Sequence, residues 1–228
     1  MTTVQFERLA WDSEFFGMPI AKAVVKSSSP CTWDEIVASA KQSPFNLVYV
    51  FSADSITGAP APIDVKIDYA ASLQGGREKD AHIREMNSAD DDLYELAYRS
   101  GRLSRFFKDN NFEKGAAQRL YREWVDKSVS REIAHDVLVY ETMHEKAGFI
   151  TLGIKGGEAR VGLLAVSERY GGRGIGTILM NEAKRRAMLR GCTTIRVATQ
   201  QQNRAACNFY EKNGFVKTDN TFIYHLWI

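Results

Sequence analysis

The residues best suited to chemistry form a glycine-rich stretch, RYGGRGIGTILM, at residues 169–180. It contains Gly171, Gly172, Gly174 and Gly176, and it lies between a long apolar segment and a run with helical spacing. Glycines let consecutive N–H groups converge on one point, and a helix N-terminus adds partial positive charge there. The stretch therefore predicts a binding site for an anionic group.

Two common nucleotide-binding motifs do not fit this stretch. A dinucleotide fingerprint needs G-x-G-x-x-G and an acidic residue after the next strand, but the spacing here is G-x-G-x-G and the next strand ends in VATQQQN. A P-loop needs Gly-Lys-Ser/Thr after four intervening residues, which the sequence lacks. Two interpretations of the stretch stay open: a turn without a ligand, and a binding site for the pyrophosphate of coenzyme A.

A second motif lies further along the chain, in NRAACNFYEKNGF. Asn203 and Tyr210 are seven residues apart, which is two helical turns, so they share one helix face. The order and spacing of this helix and of LLAVSERYGGRGIGTILMNEA resemble the GNAT N-acetyltransferases over residues 80–228. The family's cofactor motif, Q/R-x-x-G-x-G/A, is altered at its first position, where Gly171 stands.

The resemblance implies a mixed central sheet with flanking helices and acetyl transfer from acetyl-CoA, with no metal. It assigns backbone groups of one strand to the pantetheine arm, the glycine loop to the pyrophosphate, and the later helix to the same site. The cofactor-binding residues it implies are Leu164, Ala165, Val166, Gly171, Gly172, Arg173, Gly174, Ile175, Gly176, Thr177, Asn203 and Tyr210.

The resemblance also implies that Tyr210 is the general acid for the leaving thiolate. A free thiol has a pKa of about 8.5 and a tyrosine about 10, so a positioned phenol can donate a proton as the thiolate forms. The alternative for Tyr210 is a core aromatic beside Phe209 on an apolar helix face. Glu141 and Glu158 are read as solvated residues of strand edges, and no general base is assigned.

The acceptor is predicted from the segment between two helices, YRSGRLSRFFKDNNF. Arginines there pair with phosphates and phenylalanines stack on a base, unless the segment is a solvated basic loop with core aromatics. The substrate-binding candidates are Arg102, Ser104, Arg105 and Phe106, beside Phe107.

Four short segments resemble dTDP-fucosamine acetyltransferases. They are LAWDSEFFGMPIAKAVV, which contains WDSEFFG, then SRF, then RVATQ, and then the asparagine helix. That resemblance implies a dTDP-4-amino-4,6-dideoxyhexose as the acceptor and a role in polysaccharide biosynthesis. Acetylation of a protein N-terminus or lysine and a non-catalytic module that binds acetyl-CoA are the alternatives. A homodimer is expected from the family alone.

The elements that position these residues alternate between strands and helices, which predicts an α/β (α+β) fold. Strands are predicted in AKAVVKS, LVYVFSA, DVKIDYAASL, AHIREM, DVLVYE, KAGFITLGI, EARVGLLAVS, TTIRVATQ, VKTDN and TFIYHLWI. Helices are predicted in WDEIVASAKQ after the cap Thr32, in SADDDLYELAYRS after a serine cap, in EKGAAQRLYREWVDKSVS, between Ile175 and Gly191, and in NRAACNFYEKNGF. Two glycines followed by mixed charge predict a linker in 73–80. The resemblance implies a GNAT domain at 80–228 and a smaller N-terminal α/β domain at 1–75, an accessory domain for the acceptor.

Composition excludes several classes of protein. The 228 residues are 44% hydrophobic and 25% charged, with a net charge of +2, which gives no footprint for nucleic acid. Three cysteines do not suggest a disulfide framework, and four scattered histidines do not suggest a metal site. The sequence has no run of 18 apolar residues, so no membrane span is predicted. The acidic, aromatic N-terminus is unlike a signal peptide, so a cytoplasmic location is expected.

Overall fold

The computed structural model describes residues 4–26, 28, 31–74, 80–143 and 145–228. The strands in this part of the chain are β1 (Glu7–Arg8), β2 (Ile20–Val25), β3 (Leu47–Ser52), β4 (Asp64–Ser72), β5 (Ile83–Glu85), β6 (Asp136–Glu141), β7 (Lys146–Lys155), β8 (Glu158–Val166), β9 (Thr194–Gln200) and β10 (Val216–Trp227). The helices are α1 (Ala10–Phe16), α2 (Trp33–Ala40), α3 (Asp91–Gly101), α4 (Arg105–Lys108), α5 (Ala116–Val129), α6 (Ile175–Leu189) and α7 (Arg204–Lys212).

The described chain divides into two compact units. The first comprises the chain up to Ile67, Gln200–Gln202 and Asp219–Ile228, and the second comprises Asp68–Thr199 and Asn203–Thr218. These limits differ from the predicted 1–75 and 80–228, because the second half of β10 pairs antiparallel with β3, from Phe222 opposite Ser52 onward. Most of the predicted linker, residues 75–79, lies outside the described residues.

The first unit contains the strand order β1-β2-β3-β10. β2 runs parallel to β3, and β1 and β10 are antiparallel to their neighbours. Helix α2 begins behind a capping box in which Thr32 and Glu35 satisfy each other's backbone N–H groups, as its sequence predicts. Its buried residues pack with Val48 and Tyr224 into one apolar cluster.

The second unit contains the strand order β4-β9-β8-β7-β6-β5. The ladders from β5 to β8 are antiparallel, and β8 runs parallel to β9. Apolar residues of α3 and α5 pack against the alternate residues Leu163 and Ala165 of β8 and against Phe149 of β7. Because side chains alternate across a strand, the neighbours of Leu163 and Ala165 face the opposite side of the sheet.

A bulge interrupts the middle of β7 and β8. The register shifts between Ile150 and Leu152, and the Thr151 hydroxyl oxygen accepts the Leu163 N–H at 2.8 Å. In the described strands, the ladder between β8 and β9 joins Ala159–Val161 to Ile195–Val197 and ends there. The two parallel strands therefore part at the level of the bulge.

Buried ion pairs hold the far half of α6. The Glu182 carboxylate accepts from Arg185 and Arg186, and Arg186 also donates to Asp136 of β6 at 2.9 Å. Burial raises the pKa of Glu182, but the hydrogen bonds and charges of both arginines outweigh burial and lower that pKa overall. These contacts fix α6 on the sheet and with it the position of its N-terminus.

Three details of the predicted elements are wrong. Helix α3 is capped by Asp90, which accepts the Leu93 N–H at 3.0 Å, and not by Ser88. The segments VKTDN and TFIYHLWI form the single strand β10. The segment predicted as a basic loop contains α4, since Ser104 begins a short helical turn.

Candidate active site

The glycine loop joins β8 to α6 through a 3₁₀ turn at Glu168–Tyr170. Gly172 has φ of +75° and Gly174, the N-cap of α6, has φ of +79°, in the left-handed region that favours glycine. No atom lies within 4 Å of a Cβ built on either residue. The loop thus leaves an open concavity at the start of the helix.

The N-terminus of α6 supplies main-chain donors to this concavity. The Ile178 N–H donates to the Gly174 carbonyl at 3.0 Å, which closes the first helical turn. The N–H groups of Ile175, Gly176 and Thr177 precede any helical acceptor, and no side chain caps them. Three donors at a helix N-terminus suit a phosphate group.

Gly176 has a different role from the other loop glycines. A Cβ there would lie 3.1 Å from the Phe209 ring. The missing side chain lets α7 pack closely on the first turn of α6, and this brings the Tyr210 helix beside the loop. Gly171 has φ of −58°, which any residue adopts.

The end of β8 presents an unpaired backbone edge. The N–H groups of Leu163 and Ser167 donate towards β7, to the Thr151 hydroxyl and the Ala147 carbonyl. Since N–H groups alternate along a strand, those of Leu164 and Val166 point towards the side from which β9 has parted. An extended molecule with amide groups can pair with this edge as an added strand.

Arg99 of α3 closes one side of that edge, and the sequence analysis missed it. Its Nε–H donates to the Val166 carbonyl at 2.8 Å, and its Nη1 lies 2.6 Å from the Glu168 carboxylate. The hydrogen bond and charge of Arg99 lower the pKa of Glu168. Only the position of Arg99 at the end of a predicted helix hinted at this contact.

Tyr210 lies on α7 with only 6% of its surface exposed. Its ring contacts those of Tyr69, Phe209 and Phe215 at centroid distances of 5.8, 5.4 and 5.8 Å. Burial raises its pKa well above the usual range, so the phenol keeps its proton. Within the described residues its hydroxyl has no hydrogen-bond partner. The residue is both a core aromatic and a wall of the adjoining cavity.

Asn203 is the N-cap of α7, a role that the sequence analysis did not assign. Its Oδ1 accepts the Ala206 N–H at 3.1 Å. The amide therefore fixes the start of the helix that carries Tyr210. Asn203 also lines the same cavity as Tyr210.

These elements enclose a cavity of about 380 Å³, which we call the cofactor groove. Eleven of the twelve predicted cofactor residues line it, and the exception is Arg173, whose guanidinium lies over the Tyr170 ring. The eleven are Leu164, Ala165, Val166, Gly171, Gly172, Gly174, Ile175, Gly176, Thr177, Asn203 and Tyr210. A phosphate-binding end and an unpaired strand edge fit the diphosphate and the amide-bearing arm of coenzyme A.

A family model described as "Acetyltransferase (GNAT) family" matches residues 90–215, more than half of the chain. The chain belongs to this family. It is an acetyl-CoA-dependent N-acetyltransferase, because GNAT acetyltransferases use acetyl-CoA, and its mixed sheet with flanking helices is the GNAT fold.

Two curated relatives resemble this acetyltransferase. The dTDP-fucosamine acetyltransferase of Escherichia coli O6:H1 is 28% identical over 218 residues, which cover 91% of this chain and 92% of that protein. The spore coat polysaccharide biosynthesis protein SpsD of Bacillus subtilis is 26% identical over 135 residues, covering 59% of this chain and 46% of that protein.

A GCN5-related N-acetyltransferase from Sphaerobacter thermophilus resembles the fold of this acetyltransferase. The match has a TM-score of 0.54 at 15% identity and covers 85% of this chain. This chain spans 64% of the length of that structure. At such identity the similarity concerns the fold alone.

The structure separates the four predicted acceptor residues of this acetyltransferase. Arg102 lines the cofactor groove beside Arg99, with Nη1 3.5 Å from Glu168. Phe106 is buried against the rings of Phe112 and Trp124, and the Arg105 guanidinium covers its ring at 4.5 Å. Ser104 is buried as well. Phe106 thus packs in the interior and has no open face for a nucleobase.

Glu141 and Glu158 are bound by arginines. Glu141 lies 3.8 Å from Arg84, and Glu158 accepts from Arg196 and lies 3.7 Å from Arg160. Their expected places at strand edges agree with β6 and β8. Neither lines the cofactor groove.

No group of three or more His, Cys, Asp or Glu side chains among the described residues is arranged to hold a metal ion. No helix formed by these residues combines the length and apolar character needed to cross a membrane.

Proposed function

We propose that this enzyme acetylates the amino group of a nucleotide-linked amino sugar, a dTDP-4-amino-4,6-dideoxyhexose. The observation that carries the proposal is the 28% identity to a dTDP-fucosamine acetyltransferase across 92% of that protein. The match covers 91% of this chain, so it extends well beyond the region shared by GNAT enzymes in general. The SpsD relative is named as a polysaccharide biosynthesis protein, which agrees with a sugar as the acceptor.

The proposed reaction is direct transfer. Acetyl-CoA supplies an activated acyl group as a thioester. The amine nitrogen forms a bond to the acyl carbon, the carbon–sulfur bond breaks, and its electron pair leaves on sulfur. The amine gives up a proton to solvent, the sulfur receives one from the Tyr210 hydroxyl, and the phenolate then regains a proton from solvent, so the enzyme returns to its starting state.

Tyr210 suits the role of proton donor for three reasons. It lines the cofactor groove, its hydroxyl has no partner among the described residues, and burial keeps it protonated. The same burial raises the pKa of a thiolate formed beside it, because low polarity disfavours any added charge. The phenol can therefore donate its proton as the carbon–sulfur bond breaks, so that no bare thiolate forms in the groove.

The main chain performs the remaining tasks in this proposal. The N–H groups of Leu164 and Val166 at the free edge of β8 hold the amide arm and donate to the carbonyl oxygen on which charge develops. The N-terminus of α6 holds the diphosphate. Together they place the acyl carbon for attack, which removes an entropic part of the barrier.

A release assay for free thiol tests the proposal. The enzyme is supplied with acetyl-CoA and one of three acceptor sets: dTDP-4-amino-4,6-dideoxyhexoses, other nucleotide amino sugars, or peptides with free N-termini and lysines. We expect thiol release with the first set, and mass spectrometry should find one added acetyl group on the sugar. Activity confined to peptides would overturn the proposal in favour of protein acetylation.

A further inference from the structure

We propose that a second, larger cavity, in the second unit of the chain, binds the nucleoside diphosphate part of the acceptor. The cavity has a volume of about 1050 Å³ and lies between the C-terminal end of α5, β7 and β8. We call it the charged cavity. The inference rests on the proposed function, because it assigns a place to the carrier of the proposed substrate.

The charge of this cavity suits an anion. Its walls carry the cations Arg131, Lys155 and Arg160 and the anions Glu132 and Glu158. No carboxylate of the described residues pairs with Lys155. Two phosphates fit such a surface, since arginine and lysine bind them through charge-assisted hydrogen bonds.

Arg131 adds an unused donor. Its Nη2 donates to Glu85, Asn87 and the Met86 carbonyl, whereas its Nη1 is buried without a hydrogen-bond partner within the described part of the chain. A buried guanidinium nitrogen left unpaired is costly. A turn of the Arg131 side chain towards the cavity that it lines would let a phosphate oxygen satisfy this nitrogen.

The bulge of β8 places the charged cavity against the cofactor groove. Leu163 is the last residue of β8 that lines the charged cavity and Leu164 is the first that lines the groove, so the two cavities adjoin along this strand. The ladder between β8 and β9 ends at Val161 and Val197, which leaves an opening at the same level. An amine held from the side of α5 can reach a thioester held along Leu164–Val166 through that opening.

Trp124 links this cavity to the segment from which the acceptor site was predicted. Trp124 lines the charged cavity, and the ring of Phe106 contacts its ring edge-on at a centroid distance of 6.0 Å. Phe106 therefore supports the aromatic wall, and Trp124, whose ring also contacts that of Tyr121 at a centroid distance of 4.8 Å, is the aromatic residue of this wall that a thymine base can contact.

A smaller cavity of about 520 Å³ competes for the same assignment and fits it less well. It carries four carboxylates, Asp92, Glu95, Glu145 and Glu168, against three cations, Arg99, Arg102 and Lys146. All three cations contact carboxylates: Arg99 and Arg102 face Glu168, and Lys146 donates to Asp90. A diphosphate would meet net repulsion there.

Calorimetric titration with thymidine 5′-diphosphate in saturating acetyl-CoA tests the inference on the full chain. The variants are Lys155→Gln and Arg160→Gln, with Arg119→Gln as the control. Arg119 is a suitable match for Arg160: their side chains are 51% and 61% exposed, each contacts one glutamate, and Arg119 lines none of the three cavities described. We expect each cavity variant to weaken binding about tenfold and the control to leave it unchanged.

The outcomes distinguish this inference from the proposed function. Equal affinity in the cavity variants and the control would overturn the charged cavity as the site while nucleotide-sugar acetylation stands. Binding of thymidine 5′-diphosphate that appears only when acetyl-CoA is left out would place it in the cofactor groove and would also overturn the inference. Absence of binding together with absence of sugar acetylation would overturn both.

Discussion

The cofactor groove and the charged cavity are lined by different parts of β8 and are built in different ways. The groove uses main-chain groups between Leu164 and Thr177, the helix that follows Asn203, and the end of α3 with Arg99 and Arg102. The charged cavity uses side chains that α5, β7 and β8 bring together from residues 124 to 163. Ligand binding at a site built from main-chain groups depends on the backbone φ angles and tolerates changes of side chain. Binding at a site built from side chains depends on those side chains and less on the local backbone.

Tyr210→Phe should have the largest effect, because it removes the hydroxyl that we propose as the proton donor. We expect kcat to fall about 10- to 100-fold, in the range of a lost general acid. The KM for acetyl-CoA should change by less than about threefold, since main-chain groups bind the cofactor. Steady-state kinetics with varied acetyl-CoA measures both.

Tyr69→Phe is the matched control for Tyr210→Phe. The Tyr69 hydroxyl donates to Glu211 at 3.0 Å, and burial followed by its hydrogen bonds to Cys207 and Glu211 raises the Tyr69 pKa. It lines neither cavity, so kcat should stay within about threefold. Equal losses in both variants would assign Tyr210 to packing alone.

The pH profile gives a second reading of Tyr210. Because burial raises its pKa above the usual value near 10, its proton is retained on the alkaline side. We therefore expect no decline of kcat from phenol ionisation up to about pH 10. A decline centred below pH 9 that vanishes in Tyr210→Phe would contradict the burial argument.

Gly174→Val should have the next largest effect, on the affinity of the groove for acetyl-CoA. Residue 174 has φ of +79°, which a β-branched residue adopts only under strain, and the new side chain would enter the open concavity. We expect the affinity for acetyl-CoA to fall about 10- to 100-fold. Titration calorimetry with acetyl-CoA measures the change.

Gly191→Val is the control that distinguishes backbone strain in α6 from loss of the open concavity at its N-terminus. Gly191 follows the other end of α6 with φ of +77°, and no atom lies within 4 Å of its Cβ position. It should lower the melting temperature as Gly174→Val does but leave the affinity for acetyl-CoA unchanged. Loss of affinity in both would mean that the helix as a whole, and not its N-terminal loop, determines binding.

The residues named from the sequence lie together around one groove because its parts are local, and their binding of the cofactor stays a prediction. A glycine spacing and a seven-residue interval describe backbone geometry within one turn or one helix, so Gly172, Gly174 and Tyr210 were identified without tertiary information. The strands and helices of the second unit were predicted for the same reason, since periodicity is a local property.

Contacts that join distant segments were not predictable in this way. Arg99 reaches Val166 across 67 positions, and Phe106 packs into the interior because α5 presents Trp124 to it. The limits of the units also depend on pairing between β3 and β10, which are far apart in sequence. No spacing rule reports such contacts, so the charged cavity left no signature in the sequence.

Arg99→Gln tests a side-chain contribution to the backbone-built groove. The Val166 carbonyl would lose its donor, and the end of β8 would hold its free edge less firmly. We expect the KM for acetyl-CoA to rise about three- to tenfold with kcat nearly unchanged. Arg102→Gln, which removes a more exposed arginine beside the same Glu168, should have a smaller effect on that KM.

Gly171→Arg should have the smallest effect. Gly171 stands where the family motif carries glutamine or arginine, and its φ of −58° and ψ of 146° suit any residue. A Cβ there lies 3.2 Å from the Glu168 carbonyl oxygen, so the turn must yield by a few tenths of an ångström. We expect affinity for acetyl-CoA within about threefold of the original, measured by calorimetry.

Gly172→Arg is the comparison that gives this result its meaning. The same side chain is added one position later, where φ is +75° and an arginine is strained. If the groove depends on backbone conformation, the second variant should lose about tenfold in affinity while the first does not. Similar losses in both would show that side-chain bulk at the loop controls binding, and the contrast between the two cavities would then rest on charge alone.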